Sequence, residues 1–286
     1  MAPETLKKIR VRASDGAEAD LCVFCPPTAR FGVLWLPALG VSARHYEAFA
    51  NALAEQGVAT ALHEWRGAGS SDRRASRDCD WGYSELLALD IPASLAAARE
   101  VDANLRWIVA GHSLGGQLAA LFAALNPASV EGFAFAASGS PYWRTFRGRM
   151  RWVLRAVPWI VPFVTSLWGY YPGKRLGFAG REARTLMRDW ARTSRKGCYQ
   201  DTQAGADSEH ALAQCAKPIL GIRLSEDTLC PEASFEWLLG KFPRASIERA
   251  FLTSDDFASG DANHFSWLKD PQPVAARLAA WLHRLV

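Results

Sequence analysis

The chain has 286 residues, 49% of them apolar, with 22 glycines and a formal net charge of +4. That length and apolar content support a sizeable folded core and exclude an intrinsically disordered chain. The charge is unevenly spread: residues 144–196 hold thirteen Lys/Arg against two Asp/Glu, a local +11, so the remainder carries −7.

Residues 1–10 contain no apolar run of the kind a secretory signal needs. The longest apolar stretch, residues 156–167, is interrupted by Pro158 and Pro162 and is too short to span a bilayer. Cys22 and Cys25 have a C-x-x-C spacing, but residues 21–25 read as a strand, in which side chains three apart face opposite ways. Structural, reduced thiols, no metal and a cytoplasmic setting are therefore expected.

Residues 5–13 and 19–25 read as an opening strand pair joined through Ser14-Asp15-Gly16. Residues 32–36 form a buried-type strand, followed by a helix from about 42 to 56 that stops at Gly57. The next strand covers 58–63. Residues 83–100 read as helix, with a break or kink expected at Pro92. A strand at 107–110 runs into Gly111-His112-Ser113-Leu114-Gly115-Gly116 and a helix over 114–125, and another strand covers 132–137. About sixty residues then fit no strand–helix unit. The alternation resumes with a strand at 218–224, a helix at 231–241 and a last strand at 247–252. An amphipathic helix over 273–286 closes the chain, with Leu278, Trp281, Leu282 and Leu285 on one face. This is α/β architecture. Eight strands form a mostly parallel sheet flanked by helices, with a core of residues 1–139 and 206–286 and a helical insertion, residues 140–205, after the sixth strand.

Gly111-His112-Ser113-Leu114-Gly115 fits G-x-S-x-G at a strand-to-helix junction, where a sharp turn holds the serine above the sheet and glycines let neighbouring chain approach. The helix N-terminus favours negative charge beside it. A nucleotide-binding loop fits worse, because neither G-x-G-x-x-G nor G-x-x-x-x-G-K is present.

A base and an acid should follow such a serine in the order acid, then histidine. His45 and His63 precede it, and His112 adjoins it with its side chain directed away. His210 falls before the seventh strand and His283 lies in the closing helix. His264 follows the last strand in a polar loop and is the expected base. No carboxylate occurs in Ser138-Gly139-Ser140-Pro141-Tyr142 after the sixth strand. After the seventh the chain reads Leu224-Ser225-Glu226-Asp227, so Asp227 is the expected acid and Glu226 the neighbouring alternative. Asp255, Asp256 and Asp261 read as solvated loop residues.

Pro37-Ala38-Leu39-Gly40, Trp65-Arg66-Gly67-Ala68-Gly69-Ser70, the serine elbow, Asp227 with Pro231, and Asn263-His264-Phe265 resemble the α/β-hydrolase plan over nearly the whole chain. In detail the chain resembles a bacterial branch near the serine aminopeptidase and monoglyceride-lipase-like hydrolases. That resemblance implies a Ser113–His264–Asp227 triad and an oxyanion hole built from the backbone N–H groups of Leu39 and Leu114. It departs where relatives usually carry His-Gly, here Pro37-Ala38, and where they carry Asp, here Glu64. Arg66 and Ser70 are expected to pin the turn after the fourth strand.

The insertion carries Trp143, Trp152, Trp159, Trp168 and Trp190 among arginines. One reading is a packed mini-core with solvated arginines. The other, which the resemblance implies, is a lid whose inner face, with Trp143 and Trp168, forms an acyl pocket. The basic charge of this segment suits an anionic or carrier-bound substrate, and its Trp and Arg content suits contact with a membrane surface. No nucleic-acid recognition motif accompanies the charge. The expected reaction is hydrolysis of a carboxylic ester or thioester through an acyl-enzyme, without a cofactor. Its rivals are acyl transfer by the same triad and a non-catalytic binding module. A haloalkane dehalogenase would need Asp at position 113.

Overall fold

The computed structural model describes residues 7–285. Eight strands form one sheet in the order β1-β2-β4-β3-β5-β6-β9-β10. They are β1 (Lys7–Arg12), β2 (Glu18–Phe24), β3 (Phe31–Leu36), β4 (Ala59–Leu62), β5 (Arg106–His112), β6 (Phe133–Ala136), β9 (Ile219–Leu224) and β10 (Ile247–Leu252). β2 runs antiparallel to both β1 and β4, and all other neighbours are parallel. Residues 5 and 6 of the expected first strand lie outside the described residues.

Strands buried on both faces read as unbroken apolar runs, and β3, Phe-Gly-Val-Leu-Trp-Leu, is buried throughout. Its side chains divide between two cores. Val33 and Trp35 pack with α1 (Glu47–Glu55), while Leu34 and Leu36 join the core on the other face. The same alternation puts Cys22 in one core and Cys25 against the other.

Residues 83–99 are helical as α2 (Tyr83–Glu85), a π-helical stretch Leu86–Asp90, and α3 (Ile91–Arg99). Pro92 sits in the first turn of α3, and the expected kink takes the form of the π stretch just before it. Proline has no N–H to return to the carbonyl four residues back, and the wider turn absorbs that loss. α4 (Leu114–Leu125) follows β5 directly and is buried along almost its whole length.

Between β6 and β9 run α5 (Gly148–Trp168), β7 (Tyr170–Pro172), α6 (Gly173–Leu176), β8 (Arg181–Ala183), α7 (Arg184–Lys196) and α8 (Ser208–Gln214), with β7 and β8 paired antiparallel. Pro158 and Pro162 lie inside α5 without breaking it. Pro158 leaves the Leu154 carbonyl without its usual intrahelical donor. The Ser194 hydroxyl of α7, which donates to the Pro141 carbonyl at 3.0 Å, also lies 3.4 Å from that oxygen. α9 (Glu232–Leu239) and α10 (Gln272–Arg284) complete the chain.

Candidate active site

Ser113 lies between β5 and α4 with φ +55° and ψ −121°, a backbone conformation that a residue with a Cβ rarely adopts. Tertiary contacts hold it there. Its N–H donates to the Ala136 carbonyl at 3.3 Å, and the Ser138 hydroxyl donates to its carbonyl at 2.6 Å. The flanking glycines are sterically required. A Cβ at Gly111 would sit 2.4 Å from the Gly115 carbonyl carbon, and one at Gly115 would sit 2.1 Å from the Leu36 oxygen. A Cβ at Gly116 would meet Phe135 at 2.6 Å.

His264 Nδ1 lies 2.8 Å from Asp227 Oδ2, and the Asp227 side chain is fully buried. Asp227 Oδ1 accepts the N–H groups of Leu229 and Cys230, both at 2.9 Å, which fixes the carboxylate plane. The exposed Glu226 does something else. It exchanges two hydrogen bonds with the Ala262 backbone and so ties the histidine loop to the end of β9. Asn263 organises that loop: its Oδ1 accepts from Phe265 and Ser266, and its Nδ2 donates to Asp261. Asp261 is thus a loop partner, and Asp256 caps Thr253. His210 and His283 are exposed on helices α8 and α10.

The loop after β3 is anchored by Trp65, whose indole donates to the Pro37 carbonyl at 2.8 Å. The Ala38 N–H is already engaged, donating to the Tyr46 hydroxyl at 2.9 Å. Among the described residues the N–H groups of Leu39 and Leu114 have no acceptor. They flank the serine turn and can receive an oxyanion. The ring of His112, the residue before Ser113, packs 4.8 Å from that of His264.

Glu64 takes the place of a shorter acid because Gly69 leaves room for it: a Cβ there would lie 1.8 Å from Glu64 Oε2. Burial pushes the Glu64 carboxyl up, while it accepts N–H groups from Ala43 and Ser70. Arg66 reaches further than the turn it was expected to pin, forking between Asp90 and Asp15. Ser70 accepts the Asp20 N–H and so joins the turn to β2.

A cavity of about 600 Å³ opens against Leu39 and Leu114. Its aromatic walls are Trp65 and Trp81, and Lys174, Arg181, Glu182 and Leu186 close one side. Trp143 and Trp168, expected at the acyl pocket, do not line this cavity. Trp143 stacks beneath Arg144, Arg151 and Arg155, and Trp168 stacks with Arg175. Tyr46, Trp81 and Glu182 are site residues that sequence reasoning missed. No local motif marks them, because each meets the site through the fold. Burial raises the Glu182 carboxyl to about 7, and among the described residues its one hydrogen-bond partner is the Gly180 N–H at 2.8 Å. Among the described residues no group of three His, Cys, Asp or Glu side chains is arranged to hold a metal ion.

The sheet order, with a strained serine where β5 meets α4 and a histidine after the last strand, defines an α/β-hydrolase. The sequence model of the serine aminopeptidase family S33 matches residues 28–252, and the chain belongs to that family. No curated protein matches it. Among solved structures it is similar to DcsB in complex with its substrate analogue, at TM-score 0.69 and 12% identity over 98% of each chain. It is also similar to the monoacylglycerol lipase of Paleococcus ferrophilus, at TM-score 0.62 and 13% identity over 93% of this chain and 98% of that one. The haloalkane dehalogenase DatA of Agrobacterium tumefaciens C58 aligns at TM-score 0.65 and 17% identity over 98% of this chain and 97% of that one. At such identities the likeness is one of fold.

Proposed function

We propose that the protein is a serine hydrolase that cleaves a carboxylic ester or thioester through an acyl-enzyme on Ser113. The observation that carries this reading is the buried 2.8 Å His264–Asp227 pair beside the strained serine turn. With Nδ1–H donating to Asp227, the His264 Nε2 is the basic nitrogen and takes the Ser113 hydroxyl proton as the oxygen attacks the substrate carbonyl. The Leu39 and Leu114 N–H groups stabilise the tetrahedral oxyanion. The imidazolium then protonates the leaving alcohol or thiol. In the second half His264 deprotonates water, which cleaves the acyl-enzyme and restores the serine.

The cavity supports a substrate with an apolar acyl portion, held between Trp65, Trp81, Leu118 and Leu186. Arg44, Arg74, Lys174 and Arg181 at the same cavity favour an anionic group on it. Residues 140–205 act in this reading as a lid, contributing the wall from Lys174 to Leu186. A serine rather than an aspartate at position 113 supports an ester over a halide as substrate. The test is turnover of 4-nitrophenyl esters of graded chain length. Ser113→Ala and His264→Ala should each lower kcat by about 10⁶ while leaving the melting curve intact. Retention of activity within tenfold in either variant would remove the assignment.

A further inference from the structure

The helix α5 is apolar on two opposite faces. Leu154, Pro158, Val161 and Thr165 are buried, packed toward the rest of the insertion. On the other side Trp152 is 61% exposed, Trp159 68%, Ile160 53%, Phe163 71% and Leu167 62%. At 3.6 residues per turn these five fall within an arc of about 100°. Soluble monomers rarely present so many large apolar side chains together.

The cations around this stripe are also unpaired. Among the described residues Arg147, Arg149, Arg151 and Arg155 have no carboxylate within ion-pair distance, and neither has Arg195 of α7. Two of the guanidiniums lie instead over the exposed indoles: Arg155 is 5.2 Å from Trp152 and Arg195 4.6 Å from Trp159. Indole and guanidinium therefore stand at one level, with the aliphatic stripe running alongside. That is the layering of a phospholipid interface, where aromatic rings sit among headgroups and cations meet phosphates.

We propose that α5 is an interfacial docking helix that seats the protein on an anionic phospholipid surface. Charge decides among the occupants. A second copy of this chain would bring two segments of +11 together, and a nucleic acid would leave the apolar stripe uncovered. An anionic bilayer satisfies both the stripe and the arginines. α5 is not long and apolar enough to cross the membrane, so it lies in the interface plane. β7 follows α5 at once, and α6 and β8 then carry Lys174, Arg181 and Glu182 to the cavity wall, so docking would set the cavity mouth near the lipid. The proposal does not depend on the hydrolytic chemistry.

The experiment is flotation of the intact protein with vesicles of phosphatidylcholine alone or mixed with phosphatidylglycerol, at low and high salt. The wild type should partition to the mixed vesicles, less so as salt rises, and weakly to phosphatidylcholine. Arg149→Gln with Arg151→Gln should lower partitioning by about thirtyfold, at about fivefold per arginine. Trp159→Ser with Phe163→Ser should lower it at least tenfold, with both variants melting as the wild type does. Three results would each overturn the proposal: no preference for the mixed vesicles, partitioning by both double variants as strong as the wild type's, or a solution dimer that Trp159→Ser with Phe163→Ser dissociates.

Discussion

The Tyr46 hydroxyl stands 2.8 Å from Nδ1 of His112 and accepts the Ala38 N–H, so one buried phenol ties the loop after β3 to the residue before Ser113. Burial, and then the neighbouring His264, hold His112 well below the usual imidazole range, against a contact to the His264 backbone. The ring is therefore neutral and Nδ1 accepts the phenol proton. Burial likewise keeps the Tyr46 hydroxyl protonated. The Ala38 N–H is thereby engaged, and the next N–H, that of Leu39, is the one the proposed mechanism uses for the oxyanion.

Tyr46→Phe should lower kcat by about ten- to a hundredfold with KM little changed, less than the 10²–10³ cost of deleting an oxyanion donor outright. It should also destabilise the fold by about 1–3 kcal/mol, because it leaves buried polar groups unpaired. Steady-state kinetics with denaturant melts check this. A rise in KM at constant kcat would assign Tyr46 to substrate binding instead.

Asp227→Asn should cost about 10⁴ in kcat, since the amide no longer orients the imidazole or balances its charge. Glu226→Gln should cost little, because Glu226 touches only the Ala262 backbone. Comparing the two variants on one ester settles which carboxylate serves the histidine.

Glu182→Gln should flatten the pH dependence of stability. The folded carboxyl titrates near 7 against 4.5 in the unfolded chain. Between those values the folded state holds a proton that the unfolded state lacks, so this contribution is full below about pH 4.5 and lost as pH rises to 7. The amount is about 3 kcal/mol. Urea midpoints at pH 5 and pH 8 should therefore differ less in Glu182→Gln than in the wild type, with the variant gaining at pH 8. An unchanged difference would place Glu182 in water.

Chain-length preference should follow the cavity walls. Each methylene desolvated is worth about 0.8 kcal/mol, so four can raise kcat/KM by up to about two hundredfold. Trp81→Leu should shift the ratio of long- to short-ester kcat/KM, whereas Trp143→Ala and Trp168→Ala should leave it unchanged. The ratio is read within one protein, which cancels any loss of folded enzyme.

The eight strands, the elbow, His264 and Asp227 were legible because each rests on a local pattern: apolar runs, glycine spacing, a polar loop after a strand. Tyr46 meets His112 across 66 residues, and nothing near either position announces the pairing. The course of α5 through two prolines was illegible for a similar reason, since the hydroxyl that lies 3.4 Å from its stranded carbonyl comes from forty residues away. Aromatic content marks residues 140–205 as unlike the rest of the chain. It could not say which indoles face the cavity, and the structure turns Trp152 and Trp159 outward and leaves the cavity to Trp65 and Trp81.

The most direct test of the central claim is the site of covalent capture. A fluorophosphonate should label the wild-type protein at a single residue, and peptide mass spectrometry should place the adduct on Ser113. Ser113→Ala should take no label, and Asp227→Asn should take it far more slowly. An adduct on any other residue, or labelling that persists in Ser113→Ala, would contradict the account.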